Sequence, residues 1–333
     1  MQAAQLDKYD KNFQLKVRNI PKPVPQPNEV LVRVKYAAVN PLEALIGTGS
    51  VRVLQGYRFP LTMGNEFSGI VEAVGANVTA FKPNDAVYAR MPLAKIGAFA
   101  EYLTIDQAEL AGMPSQLDFA HAAAVPLAGL TAYQAFHDIL KPRPGQRLMI
   151  LGGSGSLGQL TIPMAKQLGL TVAVSGNQRG QAGALRLGAD QYFDYRTENY
   201  WDRLAPVDYV LDTLGPKELP HELAVLKPGG TLLSLKTGPN REFAQRNGFA
   251  WWQTLAFSLV GRKVDQQARQ HHVAYRFLFV KSSGAQLAEV TKLVTQAHLE
   301  PAIDPHVFTL DEANQALDLV TTGHPKGKVL IEF

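Results

Sequence analysis

The sequence predicts an α/β protein, a doubly wound parallel sheet accompanied by a barrel-like β domain. Three observations carry this. An apolar run at 148–151 passes into a glycine-rich turn at 152–158 and then into a helical apolar pattern. From 147 to about 280, strand-like and helix-like segments alternate, the pattern of a parallel sheet with crossover helices. Residues 1 to about 120 instead show short alternating strands with frequent turn signals, as in a small barrel.

Leu15 and Val17, then Val30, Val32 and Val34, alternate as strands do. The proline-rich connector PKPVPQPNE (residues 21–29) separates them. Residues 69–75 form another strand between glycines, and FKPND (81–85) is a turn leading into a strand at 86–89. Near residue 120 the texture changes to an alanine-rich helix at 119–125 and a second helical run from 126. After the strand at 148–151, Leu160, Ile162, Met164, Ala165 and Leu168 fall at roughly helical spacing, and Gly169 supplies a stop. Pro163 lies inside that pattern, where a proline removes a hydrogen bond and bends a helix. Further strands are predicted at 171–174, 191–193, 207–211, 231–235 and 275–280, with helices at 181–187 and 285–297. The tail at 327–331 reads as a closing strand returned to the first domain.

Within the turn, Gly153, Gly155 and Gly158 fit G-x-G-x-x-G. The first glycine permits a tight turn, the second lets a pyrophosphate approach the backbone, and the third lets helix and strand pack closely. The helix N-terminus offers free N–H groups to the anion. Strand before and helix after are both present, so a Rossmann dinucleotide site is predicted at Gly153, Ser154, Gly155, Ser156, Leu157 and Gly158.

Cofactor choice is made at the end of the second strand, where NAD binders place an acid on the ribose 2′-OH. Residues 174–179 read VSGNQR, with no acid. Ser175 and Asn177 can donate to a 2′-phosphate and Arg179 can pair with it, so NADP(H) is the expected cofactor.

A length of 333 residues, 46% hydrophobic and 19% charged, describes an ordinary globular chain of about two domains. Net charge is +4, too mild to argue for nucleic acid. There is no cysteine, so disulfides, thiolate metal sites and a cysteine nucleophile are impossible. The first twelve residues lack the apolar core of a secretory signal, and a cytoplasmic protein is expected. The longest apolar stretch, FAWWQTLAFSLV (249–260), is short of the ~20 residues a membrane helix needs, so no stable membrane insertion is expected.

Together, AAVNPLEALIGTG (37–49), MGNEFSGIVEAVG (63–75), VPLAGLTAYQAF (125–136), the glycine turn, LGAD (187–190), LKPGG (226–230) and the terminal GKVLI resemble the medium-chain dehydrogenase/reductase superfamily. More narrowly, they resemble its zinc-independent quinone oxidoreductase and enone reductase branch, and RFLFVKSSGAQL (276–287) is similar to the enone reductase side. The resemblance implies a GroES-like catalytic domain over 1–124 and 281–333 and a Rossmann NADP-binding domain over 125–280. Zinc alcohol dehydrogenases carry a cysteine where this chain has Asn40 and a histidine where it has Asn65, and two amides are poor zinc ligands. No metal site is expected.

The implied activity is hydride transfer from NADPH to a quinone or to the β-carbon of an α,β-unsaturated carbonyl, a small hydrophobic electrophile. Negative charge then develops on the carbonyl oxygen and needs hydrogen-bond donors. The resemblance places Asn40 beside the nicotinamide as the first candidate, weighed against a turn residue before Pro41. Thr131 matches a threonine near the nicotinamide, weighed against a helix-start residue. Tyr57 is a candidate proton donor, weighed against an ordinary packed tyrosine. Tyr195 matches a tyrosine flanking the adenosine phosphate. Leu214 and Leu235 follow strand ends that line a cofactor crevice, and Leu278 and Phe279 lie in the segment that meets the carboxamide. The strand containing them pairs across a two-fold axis in this superfamily, which implies a homodimer.

Two other readings stand beside this one: a zinc-free alcohol dehydrogenase, and an NADPH-binding sensor or structural protein with little turnover. In residues 240–272, Trp251, Trp252 and Phe257 cluster between Arg241, Arg246, Arg262, Lys263 and Arg269. A packed helix with a solvated basic flank is expected there. A cap over the substrate site or a helix on a membrane surface are the alternatives.

Overall fold

The structure is a computed structural model and describes residues 1–333. The chain divides into two units, Met1–Leu130 with Lys281–Phe333, and Thr131–Val280. Residues 125–130 therefore fall in the first unit rather than the second, because the division lies within a helix, α3.

The first unit carries strands β1 (Gln2–Leu6), β2 (Lys16–Asn19), β3 (Glu29–Val39), β4 (Leu61–Thr62), β5 (Glu66–Val74), β6 (Ala86–Arg90), β7 (Tyr102–Asp106) and β8 (Ala111–Gly112). Between β3 and β4 stands α1 (Pro41–Gly47), and after β8 come α2 (Phe119–Ala123) and α3 (Pro126–Gln134). The second unit runs β9 (Arg147–Leu151), α4 (Ser156–Gln167), β10 (Thr171–Gly176), α5 (Gln178–Arg186), β11 (Gln191–Asp194), α6 (Tyr200–Arg203) and β12 (Val207–Asp212). It continues through α7 (Leu219–Val225), β13 (Leu226–Ser234), α8 (Arg241–Arg246), α9 (Trp251–Gln270) and β14 (Ala274–Phe277). The chain closes with α10 (Gly284–Gln296), β15 (Ile303–Phe308), α11 (Ala313–Thr322) and β16 (Lys328–Glu332).

In the first unit, β3 is the organising strand. Its valines alternate inward, and it pairs antiparallel with β5, β7 and β16. The terminal strand thus returns to the first unit, with Leu330 opposite Ala38. This register brings Lys328 beneath the end of β3.

The second unit's six strands are all parallel, in the order β11-β10-β9-β12-β13-β14. That is the 3-2-1-4-5-6 order of a Rossmann sheet, whose ligands bind at the carboxyl edge where the order reverses. Leu148, Met149, Ile150 and Leu151 are all fully buried, as a central strand covered on both faces requires. The strand expected over 275–280 ends at Phe277, and the helix expected from 181 starts at Gln178. The earlier start has a cause: Asn177 Oδ1 accepts from Gly180 N and caps α5. Pro163 is buried and α4 continues past it to Gln167. No helix is long and apolar enough to cross a membrane.

Candidate functional site

At the carboxyl end of β9 the chain turns through the glycines and enters α4, whose N-cap is Gly155. A Cβ on Gly155 would meet only Gly152 O, at 3.6 Å, so the backbone there stands open to an incoming group. A Cβ on Gly158 would lie 1.8 Å from Gly153 O, so only glycine lets the helix sit this close to the turn. The left-handed residue is Gly152 (φ +67°), one position before the motif's first glycine. Gly153 is needed instead for packing, since its Cβ would stand 2.8 Å from Val174 Cγ1. Ser154 is turned toward the end of β10, where Gly176 and Gly180 leave room for it. Ser156 and Leu157 open the first turn of α4, half-buried. The cradle therefore presents backbone amides and a helix N-terminus to an anion.

Residues expected at the ribose phosphate separate into two groups. Ser175 is buried within β10. Asn177 commits Oδ1 to the α5 cap and so presents its Nδ2 as donor. Arg179 is exposed on the first turn of α5. Tyr195, 58% exposed, donates its backbone N–H to Gly176 O at the end of β10. Arg196 lies 5.8 Å from the Tyr195 ring centroid. The nearest strand-end acid, Asp194, turns Oδ1 onto the Arg196 backbone N–H.

The loops after β12 and β13 are tied together by Asp212, a fully buried residue that motif reading does not reveal. Its Oδ1 accepts from Leu214 N (2.7 Å) and Gly215 N (2.8 Å), and its Oδ2 from Ser234 Oγ (2.5 Å) and Thr237 Oγ1 (2.8 Å). Leu214 is thereby held exposed, and Leu235 N donates to Asp212 O. Leu278 N continues the edge by donating to Ser234 O, with Phe279 half-buried beside it. Behind Asp212, Glu222 is buried with neither carboxyl oxygen hydrogen-bonded. Burial, reinforced by the Asp212 carboxylate, pushes it up to about 10. Thr131 is buried at the start of this unit.

The first unit holds a buried polar cluster around Asn40. Asn40 Nδ2 donates to Glu66 Oε1 (2.9 Å) and Ala38 O (3.3 Å), while its Oδ1 accepts from Lys328 Nζ (2.6 Å). Glu66 completes its shell with the Leu127 backbone N–H on Oε2. Glu43, fully buried, takes Asn40 N on Oε2, and both Asn65 N and Asn65 Nδ2 on Oε1. Burial raises its carboxyl to about 7 against the pull of those donors. Arg90 is buried nearby, on the strand position that pairs with Glu66, and its Nε and Nη2 have no partner. Within the cluster the Lys328 ammonium and the Glu66 carboxylate form a buried ion pair. Tyr57 lies within electrostatic reach of Arg90 and Glu43; its hydroxyl donates to Leu93 O at 2.8 Å, and burial raises its pKa.

The two donors expected to meet a substrate oxygen are therefore both spent within the protein. Asn40 has each amide hydrogen directed at an internal acceptor, and Tyr57 gives its proton to a backbone carbonyl. Glu43, Glu66 and Lys328, which organise the cluster, went unassigned in the sequence although all three lie in the quoted motifs.

An open glycine turn on a 3-2-1-4-5-6 sheet defines a dinucleotide-binding protein of the Rossmann class. Profiles of known families match in agreement: the Alcohol dehydrogenase GroES-like domain over residues 26–115 and Zinc-binding dehydrogenase over residues 187–331. The zebrafish (Danio rerio) protein NAD(P)H oxidoreductase RTN4IP1, mitochondrial, is 32% identical over 100% of this chain and 91% of its own length. The rat quinone oxidoreductase is 30% identical over 93% of this chain and 90% of its own. Among solved structures, the quinone oxidoreductase from Coxiella burnetii superposes with a TM-score of 0.83 at 28% identity, covering 100% of this chain and 99% of that one. The chain belongs to the medium-chain dehydrogenase/reductase superfamily, in its zinc-independent quinone oxidoreductase branch.

Proposed function

We propose that the protein oxidises NADPH by hydride transfer to quinones, without a metal ion. The observation that carries this is the commitment of every polar side-chain atom of Asn40 to Glu66, Ala38 or Lys328. A catalytic zinc needs ligand lone pairs aimed at one point. Here the Asn40 carbonyl oxygen takes an ammonium, and the Glu43 and Glu66 oxygens accept from N–H groups. The residues do not fit zinc.

With neither a Lewis acid nor a free side-chain donor from Asn40 or Tyr57, a simple ketone lacks stabilisation for its developing alkoxide. A quinone needs less help, because the ring that receives the hydride becomes aromatic. The bound nicotinamide supplies the hydride; the protein's share is to hold the dinucleotide and exclude water. NADPH is favoured over NADH by exposed Arg179, by Arg196 beside Tyr195, and by the absence of an acid at the end of β10. The α,β-unsaturated carbonyls are the second acceptor class.

The test follows NADPH absorbance with a benzoquinone, a small enone and a ketone, each with and without chelator. Chelator-insensitive turnover, fastest with the quinone and negligible with the ketone, is expected. Faster turnover of the enone reassigns the acceptor. Loss of activity on chelation, or equal turnover of the ketone, overturns the metal-free reading. No turnover with any acceptor leaves a binding protein.

A further inference from the structure

We propose that α9 is a docking surface for an anionic lipid bilayer. The helix is inverted over its first half. Its exposed residues there are Trp251, Trp252, Leu255, Ala256, Leu259 and Val260, all apolar, while Gln253, Thr254 and Ser258 are half-buried. Trp251 is 79% exposed, Leu259 66% and Val260 70%. Water penalises such a surface, and a contiguous apolar patch of this kind marks an interaction site. The packed helix expected from sequence is thus only half right: Phe257, Gly261, Val264 and Ala268 pack inward, and the tryptophans do not.

The helix is not free to roll its apolar face inward. The Phe257 ring packs edge-on against Phe243 and Phe249. A Cβ on Gly261 would meet Asn240 Cβ at 2.5 Å, so the inner face is seated as closely as backbones allow.

Charge decides the occupant. Beyond the apolar half, the exposed face continues as Arg262, Lys263, Gln266 and Arg269, and Arg241 and Arg246 are exposed on α8. The two acids between 241 and 272 are both half-buried: Asp265 accepts from Asn240 Nδ2, and Glu242 lies between Arg246 and Arg276. A second copy would present the same cations and no counter-charge. An anionic bilayer supplies phosphates for the cations and an interfacial layer that suits tryptophan. The docking is monotopic, and it stands whether or not a quinone is the acceptor.

The test uses the full-length protein with vesicles of phosphatidylcholine alone or mixed with phosphatidylglycerol. Co-sedimentation with the mixed vesicles is expected, weakened by salt, together with a blue shift of tryptophan emission. Trp201 is stacked on His221 at 3.6 Å, so Trp201→Phe keeps the shift and Trp251→Ser with Trp252→Ser removes it. Arg262→Glu with Lys263→Glu lowers vesicle partitioning by about tenfold or more, and NADPH oxidation in vesicle-free buffer stays unchanged in all these variants. Absence of vesicle binding overturns the proposal. So does a wild-type dimer that ignores vesicles and is dissociated by the serine substitutions, which would give the patch to a second copy.

Discussion

Lys328 Nζ donates to Asn40 Oδ1 at 2.6 Å across 288 positions of chain, and the same ammonium stands 2.5 Å from Glu66 Oε1. The last strand thereby fixes the Asn40 side chain. Replacing one partner of such a buried pair leaves the other charged and unpaired. Lys328→Met is expected to cost about 3–5 kcal/mol in urea unfolding. Lys328→Met combined with Glu66→Gln should recover part of that loss. An unchanged unfolding midpoint in the single variant would show that the pair contributes nothing.

The glycine turn separates binding from folding. Gly155→Ala adds a methyl into open space, so the melting temperature should move little while dinucleotide affinity falls, because the methyl stands where the backbone is open to the anion. Gly158→Ala drives a methyl against Gly153 O, so it should lower the melting temperature by several degrees, with or without cofactor. Differential scanning fluorimetry with titrated NADPH distinguishes the two. Equal thermal losses in both variants would contradict the assigned roles.

What the sequence displayed was periodic or local. The run at 148–151, the glycine spacing and the closing strand at 327–331 all announce themselves within a few residues, and each stands where periodicity and turn chemistry place it. What it concealed was the pairing of distant polar groups. Nothing near residue 328 says that its ammonium will meet Asn40, and nothing in VLDTLG says that Asp212 will accept four hydrogen bonds. Asn40 is therefore legible in the sequence as a candidate, but the direction of its amide is not. The α9 face was hidden for a different reason. The apolar stretch is visible in the sequence, but which side of the helix meets the core depends on Asn240 and Phe243, outside the helix.

Glu222 supplies a pH signature. Its carboxyl is raised to about 10 in the fold, against an ordinary value of 4.5, because it is buried without a donor beside Asp212. A group raised on folding contributes stability that is complete below the unfolded pKa and is lost as pH climbs toward the folded one. Stability should therefore decline from about pH 4.5 upward, with up to one proton's slope from this site. Glu222→Gln removes that slope and should stabilise the protein by up to about 3 kcal/mol at pH 7. Urea unfolding at pH 5, 7 and 9 checks it. Parallel pH profiles for wild type and variant would mean that Glu222 is ionised in the fold.

The proposed preference for NADPH rests on a few groups at the ends of β10 and β11. Arg179 is exposed at the start of α5, where the helix N-terminus also favours an anion. A hydrogen bond to a charged group contributes about 1.5–3 kcal/mol. Arg179→Ala should thus weaken NADPH binding by about tenfold or more and leave NADH nearly unchanged. Arg196→Ala should do the same to a smaller degree, since that guanidinium is already drawn to the Tyr195 ring. Fluorescence titration with both coenzymes separates a phosphate contact from general loss of the site. Equal losses for NADPH and NADH in Arg179→Ala would show that the arginine supports the fold of the turn and does not touch the phosphate.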